Sequence, residues 1–197
     1  MKRIETWLAA TLAAIVAWSA CDPADWTVWW MEMVWVLGVF ALLAATYKRM
    51  RFSAAAYAIV SIWLAMHTIG AHYTFENVPF KVFAVDGDRN CYDRVAHFCI
   101  GLNAYLFAEL FLRTGWARHR IAAAVSGTLA IMAMAGAWEI IEWIGAELDG
   151  GTAGLAFVGA QGDVWDAQKD ILCDTLGAIL SSCVFVSVTA KCNKNNS

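Results

Sequence analysis

The sequence predicts an all-α integral membrane bundle of six transmembrane helices. Three observations predict it. The chain of 197 residues is 60% hydrophobic and only 16% charged, where a soluble domain is about 45–50% apolar and about 25% charged. Six apolar segments each approach the roughly 20 residues that cross a bilayer as a helix. Lys and Arg gather at alternate ends of those segments. There are two prolines and neither a repeat nor a low-complexity tract. Residues 1–197 therefore read as a single membrane domain.

The segments lie at about 4–20, 28–47, 54–71, 92–113, 120–145 and 169–190. The first follows Lys2 and Arg3 and ends near Trp18-Ser19-Ala20-Cys21, which also has the outline of a lipoprotein signal. Trp18 stands where such a signal carries a Leu-like residue, so a retained helix is the expectation. The second opens among Trp26, Trp29 and Trp30, amphipathic rings suited to the headgroup layer. The third ends in His67, His72 and Tyr73, followed by Glu76. The fourth begins Tyr92-Asp93-Arg94-Val95-Ala96-His97. The fifth is uncharged from Ile121 to Trp138 and then reads Glu139-Ile140-Ile141-Glu142-Trp143. The sixth follows Asp163 and Asp166 and carries Asp170 and Asp174.

Charge orients the chain. Lys2, Arg3, Lys48, Arg49, Arg51, Arg113, Arg118, Arg120, Lys191 and Lys194 fall on one side if six helices alternate. Lys81, Arg89, Arg94 and Lys169 fall on the other. The positive side is cytoplasmic, so both termini are expected in the cytoplasm of a bacterial inner membrane. Of the acids, only Glu5 and Glu109 lie on that side. Cys21 and Cys91 both fall outside, where disulfides are permitted, but spacing says nothing of their geometry. His67 and His119 read as an interhelical hydrogen bond and a solvated loop residue.

Helical spacing gathers the outer polar residues. Positions three, four or seven apart share a helix face. Asp93 and His97 are four apart, and Glu139 and Glu142 are three apart. Asp163, Asp166, Asp170 and Asp174 form one stripe, continued by Gly177, Ala178 and Ser181, small residues that allow close packing in lipid. Ionisable residues within a membrane face the bundle interior or a wet cavity. One outward-opening site would accommodate them all.

Three readings of that site stay open. Asp163 and Asp166 can cap the sixth helix and, with Arg94 and Lys169, build a structural polar network. Alternatively, clustered carboxylates repel and so take up protons or a cation. His97, Glu139, Glu142, Asp170 and Asp174 are then the expected metal ligands. Oxygen-rich sites suit Mg²⁺, Ca²⁺ or Mn²⁺, and an imidazole favours Mn²⁺, Fe²⁺ or Zn²⁺. Asp163 or His72 would be a general acid or base, and Arg94, Tyr73 and Tyr92 would face a substrate. Asp93 and Asp166 complete the polar site. An ion could polarise a phosphoryl or carbonyl oxygen and activate water, giving a hydrolase or transferase for an envelope lipid or lipid-linked glycan. The third reading is a small proton- or cation-coupled transporter, although the inner halves of helices five and six are nearly apolar. No motif points to nucleotide, haem or nucleic acid. The expected partners are the bilayer and a lipid-type substrate.

Four blocks carry a resemblance: GAHYTFENVPF at 70–80, NCYDRVAHF at 90–98, WEIIEW at 138–143 and GAQGDVWDAQKD at 159–170. With DWTVWWME at 25–32, they resemble the YjdF-like bacterial inner-membrane proteins over nearly the whole chain. The resemblance implies a multi-pass inner-membrane protein and supplies no reaction. Those proteins lack a cysteine at the place of Cys21, which counts against a lipoprotein. Helices four to six also resemble, more distantly, the VanZ-like proteins linked to glycopeptide resistance. Asp93-Arg94, His97, Glu139, Asp170, Gly177 and Ala178 match that pattern. Glu142 and Asp174 put carboxylates where it has amides, which strengthens the expectation of a cation and weakens any transfer of the resistance role.

Overall fold

The computed structural model describes residues 3–79, 89–149 and 151–194. Lys2, Lys81 and Phe80 lie outside the described residues. Among the described residues all regular structure is helical: α1 (Arg3–Ser19), α2 (Trp26–Thr46), α3 (Ala54–Tyr73), a short 3₁₀ turn (Phe75–Asn77), α4 (Tyr92–Gly101), α5 (Ala104–Arg113), α6 (Arg120–Asp149), α7 (Thr152–Val158) and α8 (Asp166–Lys194). Five spans are long and apolar enough to cross a membrane, Tyr92–Arg113 counting as one, and α1 is a shorter apolar helix. Large apolar side chains such as Leu42, Ile62, Leu129 and Leu180 are more than half exposed. A soluble monomer does not display apolar surface on this scale, and the natural solvent for these side chains is lipid.

The local chemistry explains where the helices begin. The Asp25 carboxylate accepts the backbone N–H of Thr27 at 2.7 Å and of Val28 at 3.0 Å, starting α2 two residues earlier than its apolar run suggests. Ser53 Oγ accepts the Ala56 N–H and caps α3. The Asn90 carboxamide accepts the Tyr92 N–H at the start of α4. Exposed His119 receives the Ala122 N–H through Nδ1 and caps α6.

Three expectations need correction. Segment 92–113 is two helices, because after Gly101 the Asn103 side chain turns back onto the Cys99 and Ile100 carbonyls at 3.3 and 3.0 Å. Such a side-chain bond competes with the helical ladder and breaks it. Helix α8 begins at Asp166, not 169, so Asp166 belongs to its first turn. Helix α7 was not anticipated. Its Phe157 is buried against Gly145 and the Trp138 ring.

Packing follows small residues. A Cβ on Gly101 would collide with the Asp174 carbonyl, and one on Gly177 with the Phe98 carbonyl, so α4 and α8 touch backbone to backbone. A Cβ on Gly127 would stand 2.6 Å from the Ala104 carbonyl, which seats α5 on α6. Ala178 and Ser181 are buried, continuing the small-residue face expected for α8. At the end that holds the termini, buried Glu5 binds Arg51 at 2.9 Å and receives the Tyr47 hydroxyl. Glu109 there accepts Arg113 and the Ser53 N–H. At the opposite, distal end, the Ser19 carbonyl meets His72 Nδ1 at 2.9 Å, and the Ser19 hydroxyl accepts Trp29 Nε1 at 3.2 Å, tying α1 to α3 and α2.

Gly177→Ala should force α4 and α8 apart and lower stability in detergent by about 1–3 kcal/mol, the usual cost of overpacking. Gly136, with nothing within 4 Å of an added Cβ, is the control. Gly136→Ala should be neutral or stabilise by up to about 1 kcal/mol. Thermal unfolding of both variants checks the contrast.

Candidate metal centre

The Gly101–Gly177 seam sets the register of α4 against α8, and the register brings the polar residues together. Asp93 and His97 lie on one face of α4, and Asp170 and Asp174 on the facing stripe of α8. All four are buried, Asp174 completely. His97 Nδ1 meets Asp174 Oδ2 at 2.9 Å, and His97 Nε2 stands 3.6 Å from Asp93 Oδ1. Asp93, His97 and Asp170 each offer a ligand atom, all within 4.8 Å of one another. With Asp174 taking the Nδ1 side of the ring, Nε2 is left for the interior. That is how a carboxylate behind a histidine orients a metal ligand.

The cavity in front of His97 is about 10 Å³ in volume, room for one water or ion. Its wall includes Asp93, His97, Glu142 and Gly159. It also includes two residues that the sequence reading left aside, Glu32 of α2 and His67 of α3. Glu32 is 1% exposed and His67 3%. A lone carboxylate inside the very apolar α2 was the available signal, since an intramembrane charge marks function by default. Glu142 accepts Trp138 Nε1 at 2.7 Å. The half-buried Glu139 is among the charges that act on Asp170. One oxygen each of Glu32, Glu139, Asp170 and Asp174 is buried without a hydrogen-bond partner.

The two acids nearest the distal surface are treated differently. Asp163 binds Arg94 Nη2 at 2.5 Å and Lys169 Nζ at 2.6 Å. Asp166 binds Arg89 and lies 3.7 Å from Arg94. Loop 159–165 is held down by these pairs. It is held as well by a reciprocal amide contact, Asn90 N–H to Gln161 Oε1 and Gln161 Nε2 to the Asn90 carbonyl, each 2.9 Å. Gly159, with φ +65, lets the loop lie against Asp93, whose Oδ2 would be 3.6 Å from an added Cβ.

The remaining candidates are dispersed. His72 sits between α1 and α3, against the Trp18 and Tyr73 rings. Tyr73 lies in that aromatic group. The Tyr92 hydroxyl donates to the Met66 carbonyl at 2.7 Å. None of the three lines the cavity. Arg94 faces the loop aspartates. Cys21 and Cys91 are both free thiols.

Comparison with known proteins gives the frame for this site. Residues 4–191 match the family described as "Predicted membrane protein (DUF2238)". The chain belongs to the DUF2238 family. It is also 34% identical to "Inner membrane protein YjdF" of Escherichia coli (strain K12) over 183 residues, 91% of this chain and 87% of that protein. No solved structure matches. This DUF2238 protein is thus a multi-pass membrane protein, and its buried cluster has to be read from its own geometry.

The loop pairs carry a pH signature. The Lys169 ammonium, the Trp165 N–H and Arg94 hold the Asp163 carboxyl down to about 2, below its ordinary 3.8. A depressed pKa contributes stability above the unfolded value that is lost as pH falls through the folded one. Hydrogen exchange across 159–166 should therefore be slower in wild type than in Asp163→Asn at pH 4 and above. The difference should shrink as pH drops from 4 toward 2.

Proposed function

We propose that this DUF2238 protein is a divalent-cation protein of the bacterial inner membrane, its ion held by Asp93, His97 and Asp170. The observation that carries the reading is the convergence of those three buried donors within 4.8 Å, with His97 oriented from behind by Asp174. Glu142, on the wall of the adjoining cavity, and Glu139 are the further carboxylates that would balance the ion's charge. Mixed imidazole and carboxylate donors favour Mn²⁺, Fe²⁺ or Zn²⁺ over Ca²⁺. Both termini are cytoplasmic by the distribution of Lys and Arg, which puts the centre in the outer half of the membrane.

A role in hydrolysis or group transfer on an envelope lipid or lipid-linked glycan extends this reading. An ion there supplies a Lewis acid for a phosphoryl or carbonyl oxygen. The approach from the headgroup layer passes Arg94 and loop 159–165. Against transport stands the other half of the bundle, where Thr128 and Ser182 bond to each other at 2.9 Å and to the Ala124 carbonyl. Among the described residues of that half these hydroxyls are satisfied locally, which does not favour a polar path continuing from the site. A structural network accounts for Asp163 and Asp166, each paired with a cation, but leaves the unpartnered inner oxygens without a purpose.

Mass spectrometry of detergent-purified protein tests the centre. Wild type should carry near-stoichiometric transition metal. His97→Ala and Asp170→Asn, confirmed as folded, should lose at least nine-tenths of it. Wild type that stays metal-free after incubation with Mn²⁺, Zn²⁺ and Fe²⁺ would return the cluster to a structural network.

A further inference from the structure

Glu32 and His67 have no place in the ligand set so far, yet they face the same cavity. They come from two different helices, α2 and α3, and both are nine-tenths or more buried. Glu32 Oε2 and His67 Nε2 are 2.8 Å apart. That approach is not a hydrogen bond, because both atoms, and His67 Nδ1 as well, lack a partner with acceptable alignment. The short distance and the missing bond disagree only if a proton is assumed to lie between the atoms. Two ligands of one ion behave this way. Bonds of about 2.0–2.2 Å meeting at roughly 90–120° put the donor atoms about 2.8–3.8 Å apart, with neither pointing at the other. The Asp93–His97 pair, at 3.6 Å, shows the same relation on the opposite wall.

We infer that the centre is dinuclear, with a second divalent transition-metal ion held by Glu32 and His67 beside the one held by Asp93, His97 and Asp170. This inference rests on the metal reading proposed above. The cavity of about 10 Å³ is bounded by Glu32 and His67 but not by Asp170, so its single place belongs to the second ion, beside the one within Asp93, His97 and Asp170, and Glu142, which also lines it, supplies the further carboxylate. The donor inventory becomes two imidazoles and four carboxylates. Helical bundles use that composition to hold paired ions in ferritin-like carboxylate proteins. Paired ions there lie about 3.5–4 Å apart and can clamp one oxygen-bearing group between them. The arrangement also explains the position of Glu32. Placing a carboxylate in the most hydrophobic helix is costly, and a second ion offsets that cost directly. His67 is packed edge-on by Trp63, Phe75 and Trp138 at 5.3–6.0 Å. Its ring is therefore as firmly positioned as that of His97, although by packing and not by a carboxylate.

The metal-to-protein ratio of the purified full chain loaded with Mn²⁺ distinguishes the cases. Two ions per wild-type chain, falling to one in Glu32→Gln and in His67→Gln while both variants keep their gel-filtration and circular-dichroism profiles, supports the inference. Electron paramagnetic resonance of the Mn²⁺-loaded wild type needs no variant, and it should show an exchange-coupled pair. One ion per wild-type chain with the spectrum of an isolated Mn²⁺, unchanged by Glu32→Gln, overturns the second ion and leaves the Asp93–His97–Asp170 centre standing. No bound ion at all overturns both.

Discussion

The contact on which the site depends is between two glycines. Gly101 and Gly177 remove the side chains that would otherwise separate α4 from α8, so each helix rests on the other's carbonyls. In lipid the apolar surroundings give helices no hydrophobic reason to associate, and close van der Waals approach has to supply it. The seam does more than hold two helices. Asp174, whose own carbonyl lies at Gly101, is placed by it behind His97. Asp170, one turn further along, is placed level with Asp93. A shift of α8 by one residue would rotate the carboxylates off this face and leave His97 without its partner.

The distal end has two electrostatic tiers. In the outer tier, three cations from loop and helix ends meet two aspartates, the Arg89–Asp166 pair buried and Lys169 reaching Asp163 from the exposed side. In the inner tier, Glu32, Asp93, Glu142, Asp170 and Asp174 share a low-dielectric space with two imidazoles among the described residues. Screening there is slight, and unpaired charge is correspondingly expensive. Glu142 and Asp174 both lie in the inner tier. Each adds acidity where it costs most.

Much of this was legible in the sequence, and the exceptions have physical causes. Hydropathy located the five long apolar helices and the shorter α1 among the described residues, because a bilayer demands long apolar helices and little else fits it. The stripe from Asp163 to Ser181 was visible from helical period alone. The period does not show what lies across the seam, so it grouped four aspartates that the structure divides between loop and cavity. The break at Asn103 escaped notice because a single polar residue in an apolar run resembles a tolerated one. Its side chain decides by bonding to its own backbone. Glu32 and His67 were missed for a different reason. Glu32 is the one charged residue of α2, His67 stands more than a turn from His72 on α3, and only the packing of α2 on α3 makes the two neighbours. His72 and Tyr73 show the reverse error: adjacency to the cluster in sequence put them near it on paper, while α1 holds them away.

The loop from Gly159 to Asp166 separates two properties that are usually coupled. The chemical character of the cavity is set by groups on α2, α3, α4 and α6. Its closure is set by the loop, since Gly159 completes the wall and Arg89, Arg94, Lys169 and Gln161 pin the segment in place. Ionic strength weakens the exposed Lys169 pin and scarcely reaches the buried Arg89–Asp166 pair or the interior. The chemistry of the cavity and the tightness of its cover therefore answer to different parts of the molecule, and selection can loosen or tighten the cover without altering the chemistry.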